Sequence, residues 1–159
     1  MQPGTHRTGA GSRGIIAVLI LTSIACLVFA SRLVVGQGAG AGSTVWDGVF
    51  TDTQASRGEA AYGRSCATCH KDDLLGSGTA PALAGEEFFR RWNDSTIDDI
   101  VQTMKGSMPQ EAPGSLDAQH YVDIVTYLLK ASGSPAGSTE LKADRDRLKQ
   151  VRITSPPSR

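Results

Sequence analysis

Residues 63–73 read Gly-Arg-Ser-Cys-Ala-Thr-Cys-His-Lys-Asp-Asp, so Cys66, Cys69 and His70 fall within five positions of a 159-residue chain with three cysteines and three histidines in all. Four chemistries can use two thiols with two residues between them. A structural zinc site needs four ligands. Only Cys26, His6 and His120 are left to complete one, with no second C-x-x-C and no H-x3-5-H pair. A thiol–disulfide redox pair belongs between a strand and a helix in a βαβ setting, and no such alternation surrounds Cys66. A loop with incidental cysteines is the bland reading. Covalent haem attachment has C-x-x-C-H as its sequence signature, and it uses all three residues. The two thiols add across the porphyrin vinyl groups as thioethers, and the adjoining imidazole binds iron as proximal ligand.

A low-spin haem needs a second axial ligand, and the downstream candidates are Met104, Met108 and His120. Met108 stands in KGSMPQEAPGS, a Gly/Pro-rich loop between two helical patterns, where Pro109 limits the chain's freedom. A thioether on such a loop can be aimed at a metal, so Met108 is the expected ligand. Met104 shares helical spacing with Ile97, Ile100 and Val101, which suits core packing. His120 falls in the first turn of a predicted helix and is expected to face solvent. His/Met ligation raises the reduction potential relative to harder ligand sets, which suits one-electron traffic.

Working outward, the chain before the motif has three parts. Residues 1–30 combine a polar stretch carrying Arg7 and Arg13 with the apolar run IIAVLILTSIACLVFA at 15–30. That composition marks an export signal, with Val28 and Ala30 suited to cleavage after Ala30. Extended across Arg32 to Val35, the same run could stay as a membrane anchor. SIAC before Cys26 also offers a weak lipoprotein-like site. Each version carries the domain out of the cytoplasm, to a periplasmic location either soluble or held at the inner membrane. Residues 31–53 read as linker and arm. GQGAGAGS (36–43) is a flexible linker rather than a phosphate loop, because no helix opens after it. VWDGVF (45–50) is expected to pack on the domain as a short arm.

Around the motif the pattern is helical, with almost no β signal. A helix is predicted from Gln54 to Ser65, capped by Thr53 or Asp52, with Gly58, Tyr62 and Cys66 on one face. KDDLLGSGTAPALAG is loop, where Pro81 fixes a bend and Leu83 is a candidate apolar wall. A short helix is predicted over Glu86–Trp92, and another from Ile97 to Lys105 capped by Ser95 or Thr96. The last runs from Ala118 to Ser132, with Asp117 as N-cap and Gly133 as stop. There Ile124 and Tyr127 are spaced to straddle a crossing partner, expected to be the Gly58–Tyr62 face. The Trp92 indole N–H could serve a haem propionate or simply pack. Aromatics make up 6% of the chain, and a segment of about 80 residues buries only a marginal core by itself. A covalently held haem would supply the missing apolar centre.

The ordered set over residues 54–133 resembles a class I c-type cytochrome, specifically the small single-haem domains of bacteria. It comprises Gly58 and Tyr62, Cys66-x-x-Cys69-His70, Pro81-x-Leu83, Met108-Pro109, and Ile124 with Tyr127. The resemblance implies an all-α fold of three to four helices around one covalent haem c. It also implies that the Pro81 carbonyl accepts the hydrogen bond of the proximal imidazole, fixing which ring nitrogen meets iron. The flanks VWDGVF and SPAGSTELKAD look similar, more loosely, to segments around haem domains associated with quinoprotein dehydrogenases.

The overall balance of 16 basic and 16 acidic side chains hides an asymmetry. Residues 54–132 carry seven Lys/Arg against eleven Asp/Glu, and residues 133–159 carry six against three. The charged C-terminal extension, 134–159, admits two readings. It is a solvated tail, or it is a docking or core-clasping arm with Leu141 and Leu148 on one side. No basic patch with interleaved aromatics suits nucleic acid. The expected function is electron carriage rather than catalysis. Expected partners are redox proteins: a quinoprotein dehydrogenase, a cytochrome complex or a terminal oxidase. A peroxidase-like enzyme or gas sensor would instead need an open sixth position and distal acid–base groups.

Overall fold

A computed structural model describes residues 42–158. The export or anchor segment and most of the glycine linker lie outside these described residues. Among the described residues no helix is long and apolar enough to cross a membrane.

Six helices and one two-residue ladder make up the described chain. Helix α1 (Asp52–Ser65) starts earlier than the sequence suggests, because extended Thr51 turns its hydroxyl to accept from the Gln54 N–H. That makes Thr51 the cap, not Asp52 or Thr53, and leaves the Asp52 carboxylate in the first turn where the helix dipole favours it. Helix α2 (Ala67–His70) is a single turn carrying the motif. Helix α3 spans Glu86–Trp92 and α4 spans Ile97–Ser107. Thr96 and Asp99 close a capping box on α4. Helix α5 (Ala118–Ala131) is capped by Asp117, and Gly133 at φ 92° ends it. Helix α6 covers Arg145–Lys149. Strand β1 (Ser43–Thr44) pairs in parallel with β2 (Val151–Arg152). The all-α expectation holds, with α2 and α6 added to the three or four helices expected.

The frame is the crossing of α1 and α5. A Cβ on Gly58 would overlap the backbone carbonyl of Asp123 and stand 3.1 Å from the Ile124 nitrogen. Only glycine permits that approach. One turn along, the Tyr62 and Tyr127 rings meet at 5.4 Å, as the spacing predicts.

The segment after α5 is no solvated tail. Leu141, Leu148, Val151 and Ile153 are all buried, worth about 1.5–3 kcal/mol each for a large apolar side chain taken from water. Gln54 in α1 donates to the carbonyl of Leu141 at 2.7 Å and accepts from its N–H at 2.8 Å. The arm at 45–50 packs as expected: Val45 and Phe50 are fully buried, and Trp46 stacks on Phe89 of α3 at 5.3 Å. Arm and tail meet where a Cβ on Gly137 would overlap the Gly48 carbonyl.

Candidate cofactor site

The two cysteines reach their positions because α1 stops at Cys66, whose N–H still bonds to the Tyr62 carbonyl at 2.8 Å. The Cys66 carbonyl then accepts from the N–H groups of Cys69 and His70, winding one turn of α2. Lys71 leaves that turn at φ 64°, and its carbonyl accepts the Tyr62 hydroxyl at 2.6 Å. The thiols are thus held by α1, not by a free loop.

Residues 71–85 fold back over the imidazole. Gly76 donates to the His70 carbonyl and Leu83 donates to the Leu74 carbonyl, while Ser77 and Ala80 exchange backbone bonds. The loop brings the Pro81 carbonyl to 2.9 Å from His70 Nδ1. A carbonyl can only accept, so Nδ1 carries the proton and Nε2 keeps its lone pair. His70 is buried. Gly76 is essential to this return. Its φ is +73°, and a Cβ there would overlap the Ala80 carbonyl and lie 2.7 Å from the carbonyl carbon and oxygen of Pro81.

Cys66, Cys69 and His70 open into a cavity of about 940 Å³, at the upper end of the ~300–1,000 Å³ range of cofactor and ligand sites. Leu83, Phe88, Trp92, Ile100, Ile124 and Leu128 supply its apolar surface. Pro81, Met104 and Met108 are also in the wall. Met108 is the C-cap of α4: its N–H bonds to the Met104 carbonyl at 2.7 Å, and its own carbonyl accepts the hydroxyl of buried Tyr121 at 2.8 Å. Met104, read from sequence as core, is only half-buried and shares the cavity. His120 is exposed and outside the wall. Trp92 is half-buried in the wall.

The electrostatics separate the readings of the two thiols. Burial, and then the neighbouring Cys69, push the Cys66 thiol up to about 11. A C-x-x-C redox nucleophile has its pKa lowered instead, so this environment does not favour the thiol–disulfide reading. Among the described residues no three His, Cys, Asp or Glu side chains gather as a metal-holding cluster. Two thiols, an imidazole whose Nδ1 is already bonded to Pro81, and two methionines around one large cavity fit a haem.

Sequence reasoning missed Gly76 and Tyr121. A glycine in a polar loop is ordinary, and the need for it comes from Pro81, five residues on. Tyr121 lies at helical spacing with Ile124, Val125 and Leu128, and a buried phenol needs a partner. Nothing in the sequence points to the Met108 carbonyl as that partner.

Residues 53–128, just under half of the chain, match the family model described as cytochrome c oxidase, cbb3-type, subunit III. No curated protein and no solved structure matches the chain.

Proposed function

We propose, on the premise that residues 53–128 form a c-type cytochrome domain, that this protein is a one-electron carrier with a covalent haem and His/Met axial ligation. When bound, haem c supplies an iron that accepts and returns a single electron. Cys66 and Cys69 would hold the group through thioethers. His70 would give Nε2 to the metal while Pro81 keeps Nδ1 occupied. Hydrogen bonding of that kind fixes ring orientation and raises ligand basicity. Met108 would take the opposite position, with Tyr121 holding its backbone. Leu83 would close the apolar wall, and the Trp92 indole N–H would serve a propionate or simply pack. The observation that carries this reading is one cavity lined by Cys66, Cys69, His70 and Met108.

Among the described residues the cavity wall holds methionine and no histidine besides His70. It therefore lacks the distal imidazole that a peroxidase-type reaction would use as acid–base group. Electron carriage needs no substrate pocket, only a cofactor edge near a partner. The family match favours an oxidase complex as that partner, in a respiratory chain, over the dehydrogenase association suggested by the flanks. Residues 1–30 would deliver the domain to the periplasm, as a free protein or tethered through residues 15–35.

The test is the ferric absorption spectrum of exported Met108→Ala beside wild type, with the intact mass of each. The expected result is an added porphyrin mass in both proteins, and loss of the weak far-red methionine-sulfur band in the variant alone. Identical spectra would sink the Met108 assignment, and an unmodified mass would sink the covalent one.

A further inference from the structure

The C-terminal segment lies beyond the residues that match the cytochrome family, and none of its side chains lines the cavity. It nevertheless grips the helix that leads to Met108. Arg145 of α6 donates through Nε and Nη2 to the two carboxylate oxygens of Asp98, at 3.1 and 2.9 Å. Asp98 sits in the first turn of α4 with its side chain 5% exposed. Just ahead of α4, Ile153 donates to the Ser95 carbonyl and accepts from the Asp94 N–H, both at 2.8 Å. Arg152 donates to the Asp94 carbonyl, and Ser155 donates to the Asn93 side chain. The same strand is anchored to the arm through β1, and the Trp46 indole N–H donates to the Thr154 carbonyl. Every bond between the tail and the 93–98 region acts on the start of α4. The far end of α4 is held separately by Tyr121.

We propose that residues 141–155 are a brace that fixes the start of α4 and thereby holds Met108 against the haem iron, with Arg145 as the main positioning residue. This rests on the His/Met reading above. Methionine is a weak, neutral ligand, so small displacements of its helix raise the fraction of molecules with an open sixth position. An added ligand binds only those molecules, and its apparent affinity scales with that fraction. Arg145 is itself exposed, with 60% of its side chain in water, so replacing it leaves no hole in the core.

The experiment uses the exported, haem-loaded full-length protein. Ferric wild type, Arg145→Gln and Arg57→Gln are titrated with imidazole, and the reduction potential of each is measured. Arg57 bonds the tail residue Glu140 and Asp123 of α5, and neither bond reaches α3 or α4. The expected result is imidazole affinity raised about tenfold in Arg145→Gln, equivalent to about 1.4 kcal/mol, with a lowered potential. Arg57→Gln should stay near wild type in both. A lower melting temperature in Arg145→Gln with unchanged affinity and potential would overturn the brace, leaving the ion pair merely structural. Equal changes in both variants would overturn it too. If Arg145→Gln fails to accumulate, Asp98→Asn, which keeps the carboxylate's volume, is read by the same criteria. A wild type that is already high-spin would fail the His/Met reading itself, a result distinct from low-spin wild type matched by its variant.

Discussion

The loop at 71–85 lines the cavity, the segment at 134–155 bonds to the start of a helix that borders it, and the two are held by opposite means. The loop works at short range: His70, Gly76, Leu74 and Pro81 lie within eleven residues and settle the imidazole through their own backbone bonds. The C-terminal segment works at long range. Its partners Gln54, Asp94, Asp98 and Asn93 stand some fifty to ninety positions away in the chain. The first region lies inside the match to the cytochrome family and the second outside it. The lesson is that the ligand-bearing motif and the support of its opposite wall need not share a sequence neighbourhood. A family boundary drawn at residue 128 cuts through one hydrophobic core.

The frame that both regions lean on should show the largest effect when broken. Gly58→Val would force α1 and α5 apart at a backbone contact. The cost should exceed the ~1–3 kcal/mol usual for overpacking, since a carbonyl cannot rotate aside as a side chain can. Soluble yield and thermal midpoint of the exported protein check this.

Whether the tail belongs to the core is read from Ile153→Ala. Full burial predicts a loss of about 2–5 kcal/mol in denaturant unfolding. A loss near zero would return the segment to the status of an appendage. On the loop side, Gly76→Ala combines a positive φ with overlap at Ala80 and Pro81. It should cost more than about 1 kcal/mol and disturb the His70–Pro81 bond, measured as a changed reduction potential. Ile153→Ala and Gly76→Ala thus separate stability without the imidazole from stability coupled to it.

Acid should sharpen the contrast further. The Arg145 guanidinium beside Asp98 holds its carboxyl below the usual range, and Arg57 and Lys142 hold Glu140 down to about 2. A depressed carboxylate contributes stability that is full above its unfolded pKa of about 3.9–4.3. That stability is lost as pH falls through the folded value. Melting temperature should therefore fall below about pH 4, and less steeply in Arg145→Gln than in wild type. The smallest effect is expected at Leu75, the exposed large apolar residue of the loop, at 70% accessibility. Leu75→Ser should change stability by less than about 0.5 kcal/mol.

Much of this was legible in the residues. The C-x-x-C-H pattern is legible from spacing alone, because a single helical turn presents Cys66, Cys69 and His70 together. The α5 and α4 helices were legible from caps and periodicity, and the Gly58–Tyr62 crossing from a glycine and a tyrosine one turn apart. Thr51 was missed as a cap because Asp52 and Thr53 offer the same oxygen chemistry, and backbone angle chooses among them. Met104 packs against the core as its spacing suggests and also borders the cavity, because helical spacing says which face a residue is on and not all that the face meets.

By itself, then, the sequence determined the helical class, the haem motif and the Gly58-mediated packing, since each depends on residues close in the chain or on a steric demand only one residue meets. The tertiary structure alone decided that residues 134–155 complete the core, that Tyr121 steadies Met108, and that both methionines border one cavity. Those outcomes depend on which distant backbone groups and charges meet after folding. A charged stretch with four apolar residues reads the same whether or not a partner surface is waiting for it.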